Sequence, residues 1–342
     1  MQKTIFVVDD SDTNLSMAEK ALEDQYRVMT LPSAAKMFAL IEKITPDMIL
    51  LDIEMPEING FDALQRLKAN ASYAGIPVIF LTSMNDAETE VHGFQLGVVD
   101  FITKPFSAPV LLNRIKTHLS IDEIIRERTA QIQKLQNGII FVFADMVENR
   151  DDKTGGHVER TEYYIRVLAN AMIKRGVYAD SIRDMDLELL SLSARLHDVG
   201  KIAIPDSILK KPGKLDADEW KTMQTHTTEG ERVIDAMVAR TDNVEFLRHA
   251  KLFAGYHHER WDGTGYPYGL KEEKIPIQGR IMAIADVYDA LVSSRPYKNA
   301  FSEEETISII KDGAGKHFDP YIMDVFLELQ DEFREIKMKY PD

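Results

Sequence analysis

The hydrophobic pattern of this chain changes character near residue 120, and no single fold class accommodates both parts. Before that point, short apolar runs at 5–8, 48–51, 78–81 and 101–102, with a weaker one at 28–29, alternate with amphipathic stretches such as 14–22 and 34–41. Runs this short and continuously apolar read as strands buried on both faces, and their alternation with helices predicts a doubly wound parallel α/β sheet. After that point strand signals are sparse. Helical periodicity recurs at 162–174, 187–196, 218–224, 229–239, 279–291 and 303–311, with loops marked by Lys211-Pro212-Gly213 and by residues 262–267. The expectation is multidomain: an α/β domain at 1–120, a helical connector at 121–140 and an all-α domain at 141–342.

Composition narrows the chemistry. There are no cysteines, so any metal must be held by histidine and carboxylate. A net charge of −15 argues against DNA binding, which needs a basic face. No run of 18 apolar residues predicts a membrane span, and Met1-Gln2-Lys3-Thr4 leads straight into the first strand without a secretory signal. A cytoplasmic protein is the expectation.

In a doubly wound sheet the site lies at the carboxyl ends of the strands. Here those ends carry Asp9 and Asp10, Asp52, Thr82, and Lys104 followed by Pro105. Three converging carboxylates repel one another unless a divalent cation sits among them, and Mg²⁺ suits an all-oxygen set. Strand-end aspartates acting as helix caps would explain one or two of these positions, not all in order. The stretch resembles a response-regulator receiver domain, flavodoxin-like in fold, over essentially all of residues 1–120. The resemblance implies that Asp52 accepts phosphate from a partner histidine kinase. It further implies that Asp9, Asp10, Asp52 and the backbone carbonyl of Glu54 hold Mg²⁺. Thr82 and Lys104 would bind the phosphoryl oxygens, Phe101 matches the aromatic switch position, and the Lys104–Pro105 bond is expected to be cis.

Between about 119 and 147, Ile121, Ile125, Ile132, Leu135, Ile139 and Val142 fall near heptad spacing, with Arg128 interrupting one seam position. A long helix follows from this. Two roles are open to it: a connector packed on one domain, or one strand of a parallel coil joining two protomers in a homodimer.

The helical part carries an ordered series of ligand-type residues. His157 follows Thr154-Gly155-Gly156, and His197 and Asp198 open the run His197-Asp198-Val199-Gly200-Lys201. His226 comes next, then His257 and His258, then Asp286 in an otherwise apolar helix. A lone carboxylate in such a helix is costly without a partner, and a metal removes the cost. Five imidazoles and two carboxylates can hold two six-coordinate cations once waters and a bridging hydroxide are added, and such donors suit Fe, Mn, Ni or Zn. His92, His118, His249 and His317 read as ordinary core or surface histidines. Lys201 places a cation just beyond the His-Asp pair, where an anionic substrate needs one.

The whole set resembles the HD-GYP phosphodiesterase subfamily of the HD hydrolases across roughly 140–330. The matching stretches run from His197 to Lys201, through Ile204-Pro205, Lys211-Pro212-Gly213, His257-His258-Glu259 and Gly265-Tyr266-Pro267. They continue with Asp286 to Asp289, Ser294-Arg295-Pro296-Tyr297-Lys298 and Phe318-Asp319-Pro320. The resemblance implies hydrolysis of cyclic di-GMP to linear pGpG, with GMP as a further product left open. It implies one metal on His157, His197, Asp198 and Asp286, and a second on Asp198, His226, His257 and His258, with a shared hydroxide as nucleophile. Asp198 and Lys201 would be catalytic, and Lys201, Tyr266, Arg295 and Lys298 would bind substrate. The chain departs from the pattern at Lys153, where some members carry a third-metal Glu, so two metals are expected. The alternatives are a catalytically weak module that senses the nucleotide or docks partners, and a phosphodiesterase for another cyclic dinucleotide.

Overall fold

A computed structural model describes residues 2–83, 87–151, 156–241, 244–293 and 300–341. The chain divides into two compact units, Met1–Ile132 and Gln133–Asp342. In the first, strands β1 (Thr4–Val8), β2 (Arg27–Leu31), β3 (Met48–Asp52), β4 (Val78–Thr82) and β5 (Asp100–Thr103) form one parallel sheet in the order β2-β1-β3-β4-β5. Helices α1 (Asp12–Leu22), α2 (Ala34–Ile41), α3 (Gly60–Ala69) and α4 (Ala87–Gln95) connect the strands, and α5 (Ala108–Glu148) follows β5. Every residue of β1, β3 and β4 is buried, because helices cover both faces. Phe6, Leu51 and Phe80 enter one core; Ile5, Leu50 and Leu81 enter the other with Leu111 and Ile115 of α5. The strand order reverses between β1 and β3, and the crevice at that switch point is where such sheets bind ligands.

The expected connector is not a separate piece. Helix α5 runs unbroken for 41 residues, so the last helix of the α/β fold and the connector are one element. The second unit is helical: α6 (His157–Arg175), α7 (Ala179–Ile182), α8 (Leu187–Ser193), α9 (Asp206–Leu209), α10 (Ala217–Gln224), α11 (His226–Val238), α12 (Val244–Tyr256), α13 (Ile277–Val292), α14 (Glu303–Asp312), α15 (Pro320–Phe326) and α16 (Gln330–Lys339). Its main core joins Tyr164, Phe253, Ile281, Tyr288, Phe326 and Phe333. A second cluster, with Ala144, Leu196, Val199, Ile234 and Phe246, packs the end of α5 against α11 and α12. Among the described residues no helix is long and apolar enough to cross a membrane.

One local difference matters for the site. The stripe at 187–196 predicts an α-helix ending on the His-Asp pair, but α8 stops at Ser193 and tightens into a 3-10 turn over Ala194–Leu196. Ser191 and Ser193 turn their hydroxyls back onto the carbonyls of Glu188 and Leu190, which competes with the α-helical ladder. A second 3-10 turn, Val199–Ala203, follows, so His197 and Asp198 sit between two tight turns.

Candidate metal centre

Four helix ends deliver the histidines. His157 opens α6, His197 follows the first 3-10 turn, His226 opens α11, and His257 and His258 lie just past the end of α12. That last placement is what lets two adjacent side chains face the same way. The rings of His257 and His258 lie 4.0 Å apart.

The tautomers follow from the partners. The Nδ1 of His197 lies 2.9 Å from the Ala194 carbonyl, that of His226 2.7 Å from the Met223 carbonyl, and that of His257 2.9 Å from the Phe253 carbonyl. The Nδ1 of His157 lies 2.7 Å from a carboxylate oxygen of Asp289. Carbonyl and carboxylate oxygens only accept, so all four Nδ1 atoms carry the proton and all four Nε2 atoms keep a bare lone pair. Those lone pairs face one another: His157 Nε2 lies 3.4 Å from His197 Nε2, and His226 Nε2 lies 3.2 Å from His257 Nε2. As neutral imidazoles these are two buried acceptors held close together, which fits a shared cation. The donor set therefore suits a pair of divalent metals.

The clusters divide the same way. His157, His197 and Asp286 converge as one group and His226, His257 and His258 as another, with donor atoms of each group within 4.8 Å of one another. Asp198 lies between them. Its Oδ2 is 3.4 Å from His197 Nε2, and its Oδ1 is 3.4 Å from His226 Nε2 and 3.6 Å from His257 Nε2. Burial is the main reason the His226 imidazolium is disfavoured, with its pKa lowered to about 4, and burial also depresses His258. Both are kept in the neutral form that a metal requires.

Lys201 does not extend past the pair. It is buried, folds back, and sets its ammonium 2.6 Å from Asp198 Oδ2 and 3.5 Å from Glu148 Oε2 in the last turn of α5. Arg150 donates to the carbonyls of Lys201 and Ile202, at 3.2 and 3.0 Å, and ion-pairs with Asp206. The end of the long helix is thus tied to the loop that carries Lys201. Gly200 is required by contact: a β-carbon there would lie 1.8 Å from the His226 carbonyl oxygen and 2.4 Å from the Gly230 nitrogen. Only glycine lets α11 approach closely enough to bring His226 to Asp198.

Three supporting residues have no role assigned from the sequence, although Glu259 and Asp289 fall within matched stretches. Asp289 is buried and accepts from His157 Nδ1, from Arg160 Nε at 2.6 Å and from Arg160 Nη2 at 2.9 Å. Burial works against its charge, but these hydrogen bonds prevail and hold its carboxyl well below the usual range. Arg160, fully buried, also donates to the carbonyl of Tyr340. Glu259, also buried, accepts from the backbone N–H groups of Tyr268 and Leu270, at 2.7 and 2.9 Å, and so pins the loop that carries Tyr266. In that loop a β-carbon at Gly265 would lie 2.3 Å from the Arg260 nitrogen. The Tyr266 ring faces the histidines, 4.8 Å from His258 and 6.3 Å from His226. Arg295, Lys298 and Lys153 lie outside the described residues.

In the first unit the carboxyl edge of the sheet gathers the expected groups. Asp9, Asp10 and Asp52 form a third cluster of converging donors, a set of oxygens that fits Mg²⁺. Lys104 Nζ lies 2.7 Å from both Asp9 and Asp52. Burial raises the Asp52 pKa, helped by the Asp9 charge and opposed by Lys104. Thr82 is buried at the end of β4, and Phe101 is buried between Phe80 and Phe94. The Lys104–Pro105 bond is cis, and so is Tyr266–Pro267.

Sheet and helical unit together define a class: a response regulator whose output domain is of the HD hydrolase type. Models of two families match the chain, the response regulator receiver domain over residues 5–116 and the HD domain over 142–322. The chain belongs to the family of response regulators that fuse a receiver to an HD-GYP domain. A Vibrio cholerae protein named "Probable cyclic di-GMP phosphodiesterase" is 38% identical over 100% of this chain and 81% of its own length. The "Cyclic di-GMP phosphodiesterase response regulator" RpfG of Xanthomonas campestris is 30% identical over 97% of this chain and 89% of its own. A "3'3'-cGAMP-specific phosphodiesterase 2" of Vibrio cholerae is 39% identical over 62% of this chain and 38% of its own length.

Proposed function

We propose that this protein is a phosphorylation-regulated, metal-dependent phosphodiesterase that opens cyclic di-GMP to linear pGpG. The observation that carries the reading is the pair of Nε2–Nε2 contacts flanking Asp198, which a cation on each side makes favourable. His157, His197, Asp198 and Asp286 would hold one divalent transition metal, and Asp198, His226, His257 and His258 the other. When bound, two such cations lower the pKa of water and offset phosphodiester charge. The chain's own groups do the rest. Lys201 holds Asp198 in place and offers its ammonium where charge builds on the phosphoryl oxygens. Tyr266 shapes the pocket beside the histidines, and Arg295 and Lys298 grip phosphate or guanine.

In the receiver, Asp52 would take phosphate from a histidine kinase, with Mg²⁺ on Asp9, Asp10, Asp52 and the Glu54 carbonyl, and Thr82, Phe101 and Lys104 reading the change. The active form is a homodimer joined along α5. The 3'3'-cGAMP-specific relative gives a second reading weight, in which another cyclic dinucleotide is the substrate. One assay decides: purify anaerobically, count bound metal, and follow cyclic di-GMP and 3'3'-cGAMP by chromatography. His197→Ala and Asp198→Ala should abolish turnover; turnover that survives both, without bound metal, rejects the proposal.

A further inference from the structure

Helix α10, immediately before His226, has no buried residue. It is set by its N-terminal cap, where Asp216 and Glu219 bond reciprocally, and by Lys211, whose Nζ lies 2.5 Å from Glu219. On it stands Trp220, 48% exposed. A large apolar ring half exposed on a helix with no fully buried residue is doing little core packing. Among the described residues its aromatic neighbour is Tyr266, at 6.2 Å between centroids and 79° between planes, an edge contact that leaves both faces of the indole unstacked by any of them. Tyr266 in turn lies against His258. Trp220 is thus one ring outward from the residues that line the metal centre, at the rim and in contact with solvent.

An indole in that position has the chemistry of a stacking platform. A cyclic dinucleotide whose phosphodiester reaches the histidines must carry its bases outward, and every base presents a flat π face that stacks on an aromatic side chain. We infer that Trp220 is the platform for one purine base of the cyclic dinucleotide, a positioning residue that sets affinity and does not touch the reacting phosphate. The inference rests on the cyclic dinucleotide reading above, and its test separates the two.

Steady-state kinetics of W220A, W220L and W220F are compared on cyclic di-GMP and on bis(p-nitrophenyl) phosphate, which carries no purine. The loss of kcat/KM for W220A and W220L on the dinucleotide should exceed their loss on the small diester by at least about fivefold, mostly through KM, and W220F should recover most of it. Equal losses on both substrates, or a W220L enzyme as good as W220F, overturn the inference while leaving the activity standing. Binding is read separately on chelator-treated protein from tryptophan fluorescence. Cyclic di-GMP should quench the wild type saturably, and W220F should lose that response. Saturable quenching without hydrolysis of any cyclic dinucleotide would sink the functional reading and keep the platform; hydrolysis without quenching would do the reverse; neither signal ends both.

Discussion

Asp289 lies behind the candidate metal ligands, yet it decides what His157 can do. Its carboxylate takes the Nδ1 proton and leaves Nε2 facing His197. Asp289→Asn should free the tautomer and weaken metal retention by about 10- to 100-fold, measured by competition with a chromogenic chelator. An unchanged metal affinity would contradict the assigned tautomers. Protonation has a defined sign here. His226 is buried in its neutral form, with a folded pKa of about 4 against an ordinary 6.5. The unfolded chain therefore binds the extra proton between those values, and stability of the metal-free protein falls as pH drops from about 6.5 towards 4, by about 1.4 kcal/mol per pH unit for one such group. Asp289, depressed below the usual carboxylate range, gives up its contribution only at still lower pH, below about 4. Urea midpoints at pH 7 and pH 5 check this: His226→Gln should flatten the slope in that interval. Gly200→Ala should cost on the order of 1–3 kcal/mol, because its β-carbon meets the backbone of α11 and no flexible side chain can give way.

Helix α5 extends the argument. Ile121, Ile125, Ile132, Leu135, Ile139, Val142 and Met146 are all about half exposed or more, and they alternate at spacings of four and three with Arg128 in the remaining seam position. Isoleucine at three successive a positions, 125, 132 and 139, favours two parallel strands. The double variant Ile132→Glu/Ile139→Glu should turn a dimer into a monomer in sedimentation velocity without loss of helical circular dichroism; a wild type that sediments as a monomer removes the proposal. Most of the architecture was legible, because buried parallel strands and helical stripes are written in local periodicity. Strand β2 was the faint one since it is the sheet edge, and four of its five residues are not buried. The union of connector and last receiver helix was missed because the boundary was drawn where the hydrophobic pattern changes near residue 120, and the helix runs through that change from 108 to 148. Asp289 and Glu259 lay in matched stretches and Trp220 in none, but the supporting role of each was not legible, because their partners are 132, 9 and 46 positions away and only folding brings them together.

For the molecule as a whole, one unbroken helix belongs in part to each unit, and Glu148 at its end and Arg150 in the turn just after it reach the Lys201 loop. On the proposed reading, this shared helix is the element through which phosphorylation at Asp52 would act on the output domain. Beryllofluoride should change the rate of cyclic di-GMP hydrolysis in the full-length protein, and Asp52→Asn should make the rate indifferent to it; identical rates with and without the mimic would break the link. The histidine lone pairs have a last consequence. Four backbone or carboxylate oxygens aim them at one another, so like is pressed against like, and a divalent ion held as proposed would be the rivet that relieves it. On the proposed two-metal reading, a cell starved of the metal holds a weakened protein, open to proteolysis, so that scarcity shows as falling abundance as well as lost turnover.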